Sequence, residues 1–304
     1  MKKAKRSSKP RILLTGGSGY IGSEIRKRLG ERFHFINMDI KSGRRDDVRN
    51  FKRLRRAVRS VDGVLHLAAV SRPKWGYQDP YHCLITNVVG TINVLEAVRL
   101  INPRAWIILA SSREVFGNLA KFPATEKSPR NPLNAYAVSK VCGEDLQRQY
   151  AKNYGLRCLT LRFCGVYTGR RDILDRVIPH FILQALKSRP LIIEGSGRQK
   201  GDYVYIDDAV EGVRRAIHHV SSKRTGFYDH ITLAAQNPIT LTDLARMIIK
   251  LAGSKSSVIH APPRSYDQQG FWGTFKKAYR LLGWRPRVSL PAGLRRSIKE
   301  LRKL

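Results

Sequence analysis

Arg11–Thr15 reads RILLT, a short apolar run. The turn Gly16-Gly-Ser-Gly19-Tyr-Ile-Gly22 follows at once, and then Ser23–Leu29, which has helical character. Strand, glycine turn and helix in that order constrain this chain more than any other stretch. Glycines let the turn be tight, and they let backbone approach a pyrophosphate at the helix N-terminus. An acidic residue follows at about the spacing a dinucleotide site requires: Asp39, which closes the run FHFINMD at Phe33–Asp39. A carboxylate there accepts hydrogen bonds from ribose hydroxyls and repels a 2′-phosphate, so NAD is expected over NADP. Arg44 and Arg45 lie close by and work against that preference.

Further apolar runs alternate with helical segments. Val61–Ala69 (VDGVLHLAA) and Ala105–Ala110 (AWIILA) read as buried strands, and Asn87–Val98 has apolar residues at helical spacing. This alternation predicts an α/β fold built on a doubly wound parallel sheet. Ligands in such sheets bind beyond the carboxyl ends of the strands, where Asp39, Ala68 and Ser112 all fall. His66, inside a strand, reads as a core histidine. Tyr136-Ala-Val-Ser-Lys140 adds the candidate chemistry: of 12 Tyr residues, Tyr136 alone has a Lys four places on. On a helix the two share a face. An ammonium beside a phenol favours the phenolate, so the pair can move a proton near neutral pH.

The charge balance is unusual. Lys and Arg number 57 against 23 Asp and Glu, a formal net charge of +34. Such a balance attracts polyanions, although the basic residues are scattered over the whole length. Residues 1–10 (MKKAKRSSKP) read as a basic flexible tail, and the apolar run after it is too short for an export signal. Cys83, Cys142, Cys158 and Cys164 form no Cys-x-x-Cys pair, and no metal-ligand spacing appears among Cys and His. No apolar run reaches the roughly 18 residues that a membrane span needs. A cytoplasmic protein with free thiols is expected, without a metal or a membrane span.

Seven segments, in order and spacing, resemble the extended short-chain dehydrogenase/reductase family, specifically its NAD-dependent nucleotide-sugar epimerases and dehydratases. They are TGGSGYIG at Thr15–Gly22, Asp39, DVRN at Asp47–Asn50, HLAA at His66–Ala69, NVVGT at Asn87–Thr91, SSREVFG at Ser111–Gly117 and YAVSK at Tyr136–Lys140. A later match, GWRPRVSLPAGLRR at Gly283–Arg296, carries the resemblance over nearly the whole chain beyond the tail. It implies a Rossmann domain over mainly 11–165 and a smaller C-terminal substrate-binding lobe over mainly 166–304, with some segments returning to the sheet. Gly16, Gly19, Tyr20, Ile21 and Gly22 would form the pyrophosphate loop. Asp39 would hold the adenosine ribose, Asp47 and Val48 would flank the adenine, and Leu67, Ala68, Ala69 and Asn87 would line the rest of the cofactor site. Ser112 would orient the substrate hydroxyl, Tyr136 would serve as acid/base, and Lys140 would hold the nicotinamide ribose and tune Tyr136.

On the substrate side the resemblance is uneven. Gly165 stands where relatives carry a substrate-contacting Asn, and Gly201 where they carry an Arg that grips the diphosphate. Arg198 and Gln199 are expected to bind substrate beside that gap, with Arg198 or Lys200 compensating for the missing Arg, and Arg264-Ser-Tyr-Asp267 matches a second diphosphate contact, which makes Arg264 the main expected grip on the diphosphate. Ser112-Arg113-Glu114 occupies the place of Thr-Asp-Glu in 4,6-dehydratases. Glu114 matches the base there, but Arg113 replaces the acid, and a guanidinium cannot give up a proton near neutral pH. The expected function is therefore an NAD-dependent nucleotide-sugar 4-epimerase acting through a transient 4-keto sugar. The alternatives are a 4-keto reductase or 4,6-dehydratase and, more distantly, a non-catalytic module binding RNA or another polyanion. The resemblance also implies a homodimer joined through the helices carrying Asn87–Val98 and Tyr136–Tyr150.

Overall fold

The computed structural model describes residues 9–263 and 268–304. Six strands form one parallel sheet: β1 (Arg11–Thr15), β2 (His34–Met38), β3 (Gly63–His66), β4 (Trp106–Ser112), β5 (Arg157–Phe163) and β6 (Tyr228–Leu233), in the order β2-β1-β3-β4-β5-β6. The strand sequences explain why both faces are covered. Successive side chains alternate across a sheet, and here both sets are apolar. Ile12, Leu14, Leu65, Ile108, Leu159 and Leu161 enter one core. Leu13, Val64, Ile107 and Cys158 enter the other.

Helices Tyr20–Leu29 and Ile206–Ser221 cover the first face; Phe51–Ala57, Gly90–Ile101 and Ala135–Tyr154 cover the second. The chain runs from β1 to β2 on one side, then returns to place β3 on the other side of β1. That reversal opens a crevice at the carboxyl ends of β1 and β3, which is where ligands bind in such sheets. In the C-terminal half, Leu191–Glu194 pairs with Val258–Ala261 beside helices Val177–Leu186 and Leu241–Ala252. β6 returns to the main sheet, parallel to β5.

Pro80–Ile101 is helical throughout, with a π-helical stretch at Ile85–Val89. By length and composition it could cross a bilayer, although Asn, Thr and Gly interrupt its apolar run. Here it is a core helix: Cys83, Asn87, Thr91, Val94, Leu95 and Val98 are buried.

Helix Ala135–Tyr154 is tied to the sheet by buried charge. The Glu144 carboxylate accepts from Ser111 Oγ at 2.6 Å and from Arg162 Nε and Nη2 at 2.9 and 2.6 Å, and neither side chain of the ion pair is more than 3% exposed. Breaking one side of such a pair strands the other charge. Glu144→Gln should therefore cost about 3 kcal/mol or more, read as a lower urea midpoint by circular dichroism.

Candidate active site

The glycine turn is shaped by close backbone approach. Gly16 has φ +71°, and a Cβ on it would lie 2.6 Å from the Ala68 nitrogen. A Cβ on Gly22 would lie 2.5 Å from the Gly16 carbonyl oxygen. Turn, helix and the end of β3 can pack this tightly only with glycine at both places. Helix Tyr20–Leu29 starts at Gly19 with no side-chain cap and no acidic residue in its first turn, so its leading N–H groups favour an anion. Asp39 ends β2 beside the turn, and its carboxylate accepts from the Ser18 and Lys41 backbone N–H groups at 2.8 and 2.9 Å. Asp47 is gripped by Arg49, which holds its carboxyl below the usual range. Val48 is buried against Gly90, where a Cβ would lie 2.7 Å from Val48 Cγ2. This cradle fits a dinucleotide.

Beneath it runs a directed chain of hydrogen bonds. Thr15 Oγ1 lies 2.7 Å from His66 Nδ1, His66 Nε2 lies 3.3 Å from Thr91 Oγ1, and Thr91 Oγ1 donates to the Asn87 carbonyl at 2.7 Å. That last bond makes Thr91 the acceptor from His66, so the proton is assigned to Nε2 and Thr15 donates to Nδ1. Burial holds the imidazole pKa down at about 3, with Lys140 adding to the effect. His66 is therefore a neutral core histidine, as its place in the strand implies. Asn87 lies in the π-helical stretch. Its Oδ1 accepts from the Val70 N–H at 2.8 Å, and its Nδ2 donates to the Val70 carbonyl and Ser139 Oγ at 3.0 and 2.8 Å. The side chain thus fixes the segment after β3 against the helix that carries Tyr136.

That helix starts at Asn134, whose side chain accepts from the Ala137 N–H. Tyr136 and Lys140 both face inward, each 7% exposed. Ser112 ends β4, its Oγ accepts from the Glu114 N–H at 3.2 Å, and its hydroxyl meets the Tyr136 phenol. Lys140 Nζ donates to the Ala110 carbonyl at 2.8 Å and lies 5.7 Å from the centre of the Tyr136 ring. In the protein alone, the phenol departs from the lowering expected of an adjacent lysine. Burial pushes its pKa well above the usual range; Ser112 opposes the rise and Glu114 adds to it. Burial also brings Lys140 down to about 8. Packing the helix against the sheet desolvates both groups, and that is the largest influence on each.

On the substrate side, Arg198 is exposed and the Gln199 amide donates to the Glu194 carbonyl at 2.9 Å. Arg264 lies outside the described residues. Two neighbours of the site carry no motif in the sequence. Arg176 precedes helix Val177–Leu186, donates to Asp172 Oδ1 at 3.0 Å and stacks 5.0 Å over Tyr20, close enough to act on Tyr136. Tyr203 lies beside Gly165 and Gly201. The repeated aromatic in Tyr203-Val-Tyr205 was its one available signal.

The family model described as NAD dependent epimerase/dehydratase family matches residues 12–230. UDP-glucuronic acid decarboxylase 1 of Danio rerio is 30% identical, over 95% of this chain and 72% of that protein. The structure of UDP-glucose 4-epimerase from Thermotoga maritima with UDP-glucose is 26% identical with a TM-score of 0.88, covering 96% of this chain and 99% of that one. The Bacillus cereus UDP-glucuronic acid 4-epimerase in complex with UDP-glucuronic acid and NAD is 26% identical with a TM-score of 0.86, over the same shares of the two chains.

The neutral His66 gives a pH test. Between about 3 and the ordinary value of 6.5 the unfolded chain holds a proton that the folded chain does not. Stability should therefore fall as pH drops below 6.5. In urea unfolding at pH 7 and 4.5, His66→Gln should lose less stability between the two pH values than the parent, even though its midpoint at pH 7 is lower.

Proposed function

The chain belongs to the NAD-dependent epimerase/dehydratase family, and on that premise we propose that it is a nucleotide-sugar 4-epimerase acting through a transient 4-keto sugar. The observation that carries the proposal is the convergence of Ser112, Tyr136 and Lys140 at the carboxyl edge of the sheet, beside the glycine turn and without a proton donor at position 113.

The meeting of the Ser112 and Tyr136 hydroxyls supports a role for both at one substrate oxygen. Oxidising a 4-hydroxyl needs a base for its proton and a second hydroxyl to orient the oxygen; Tyr136 serves as the first and Ser112 as the second. Lys140 sets the electrostatics beneath the phenol and is held in place by the Ala110 carbonyl. NAD, when bound, supplies the hydride acceptor and a positive charge that favours the phenolate. Gly16, Gly19 and Gly22 would hold its pyrophosphate and Asp39 its ribose. Tyr136 returns the proton once the 4-keto sugar has presented its other face.

Arg113 argues against dehydration. Its guanidinium pairs with Glu114 at 3.4 Å, which engages a carboxylate that could otherwise act there as a base. The reading extends to a homodimer across helices Gly90–Ile101 and Ala135–Tyr154, where Leu100, Val138 and Tyr154 are exposed apolar residues. The +34 charge, distributed along the whole chain, adds weak association with polyanions that salt screens, separate from the active site.

Tyr136→Phe tests the assignment. It should lower turnover of UDP-sugars by about 10²–10⁴-fold while leaving NAD content and thermal midpoint unchanged. Turnover within threefold of the parent would overturn Tyr136 as the acid/base. In sedimentation, the parent should run at twice the 34.6 kDa chain mass.

A further inference from the structure

Arg113, Gly165 and Gly201 depart from the family pattern one by one in the sequence, but in the structure they form one arrangement. A Cβ on Gly165 would lie 2.9 Å from Tyr203 Cδ1, and a Cβ on Gly201 would lie 2.5 Å from Tyr203 Oη. The Tyr203 ring therefore occupies the space into which side chains at both positions would grow. It is steadied by an edge-on contact with Tyr167, with ring centres 6.4 Å apart. The polar groups that relatives place at 165 and 201 have no room here.

Arg113 faces the same ring. Its guanidinium lies 5.7 Å from the centre of Phe271 and acts on both Tyr203 and Asp202. Asp202 is fully buried, and its carboxylate is taken up by the Gly273, Gln236 and Asn237 N–H groups at 3.2, 3.1 and 3.4 Å. Among the described residues, the carboxylate within ion-pair distance of Arg113 is Glu114, at 3.4 Å. Among the described residues, the other guanidinium acting on Tyr203 is Arg176, which Asp172 already pairs. A partly exposed guanidinium on an aromatic shelf has planar donors left for an oxyanion. Its position decides which one. Arg113 follows directly after Ser112, the hydroxyl beside Tyr136, and on the epimerase reading its guanidinium would meet a substituent on a sugar carbon next to the reacting one. A hexose offers a neutral hydroxymethyl group there, and a hexuronate offers a carboxylate.

We propose that Arg113, backed by Tyr203 over Gly165 and Gly201, is a specificity-determining residue that selects a nucleotide sugar carrying a carboxylate on the sugar. This rests on the epimerase reading and narrows its substrate class to the hexuronates. The guanidinium binds the sugar carboxylate in two-pronged fashion.

The test uses the NAD-loaded protein carrying Tyr136→Phe, so that bound sugars are not turned over. UDP-glucuronic acid and UDP-glucose are titrated calorimetrically into this protein and into the same protein with Arg113→Gln or Arg113→Lys added. The Tyr136→Phe protein should bind UDP-glucuronic acid about tenfold or more tighter than UDP-glucose. Arg113→Gln should erase that preference with UDP-glucose affinity held within threefold, and Arg113→Lys should keep part of it. Unchanged NAD binding and thermal midpoint in the variants show that the fold survives. Equal affinity for the two sugars, or an equal loss for both in Arg113→Gln, would overturn the inference and leave the epimerase reading standing. Failure to bind either sugar would overturn both.

Discussion

The site depends on one buried anion. Glu144 lies one helical turn beyond Lys140 and two beyond Tyr136, on the same side of helix Ala135–Tyr154. Ser111 at the end of β4 and Arg162 on β5 both bind its carboxylate. Because Ser111 neighbours Ser112, a single carboxylate sets the helix that carries Tyr136 and Lys140 against the strand that carries Ser112. A buried pair like this adds little net stability compared with an apolar filling of the same space. What it supplies is register: the helix cannot slide along the sheet without stranding a charge. Asn87 repeats the device at the other end, tying Ser139 to the backbone after β3.

That placement has an electrostatic cost. Pressing the helix onto the sheet removes water from the phenol and the ammonium alike, so each shifts towards its neutral form. A tyrosine in this state is a poor base in the protein alone. On the proposed reading it becomes effective when the site gains positive charge, which would couple proton removal to the presence of the oxidised cofactor. The same burial keeps His66 neutral and keeps its hydrogen-bond chain running in one direction beneath the glycine turn.

Much of this was legible in the sequence because backbone geometry writes itself locally. Gly16 and Gly22 are glycine because a Cβ at either place would strike backbone. Asp39 closes a strand at a fixed distance from the turn, and Tyr136 and Lys140 share a helix face by spacing alone. The direction of the Tyr136 shift was not legible, because desolvation is a property of the packed helix and not of the pair. Arg176 and Tyr203 were missed for a related reason: each reaches the site from a segment far away in the chain. Gly165 and Gly201 read in sequence as lost contacts, and only the placement of the Tyr203 ring shows that their space is filled. The membership of Tyr228–Leu233 in the main sheet is likewise set by pairing with a strand about 70 residues earlier.

The account stands or falls on the second half of the reaction, where the 4-keto sugar either turns over or loses a group. The most direct measurement is to incubate the NAD-loaded protein with UDP-glucuronic acid and with UDP-glucose, and to read the products by mass spectrometry and proton NMR. The account predicts a product of unchanged mass with the configuration at C4 inverted. A main product that has lost water or carbon dioxide would contradict it.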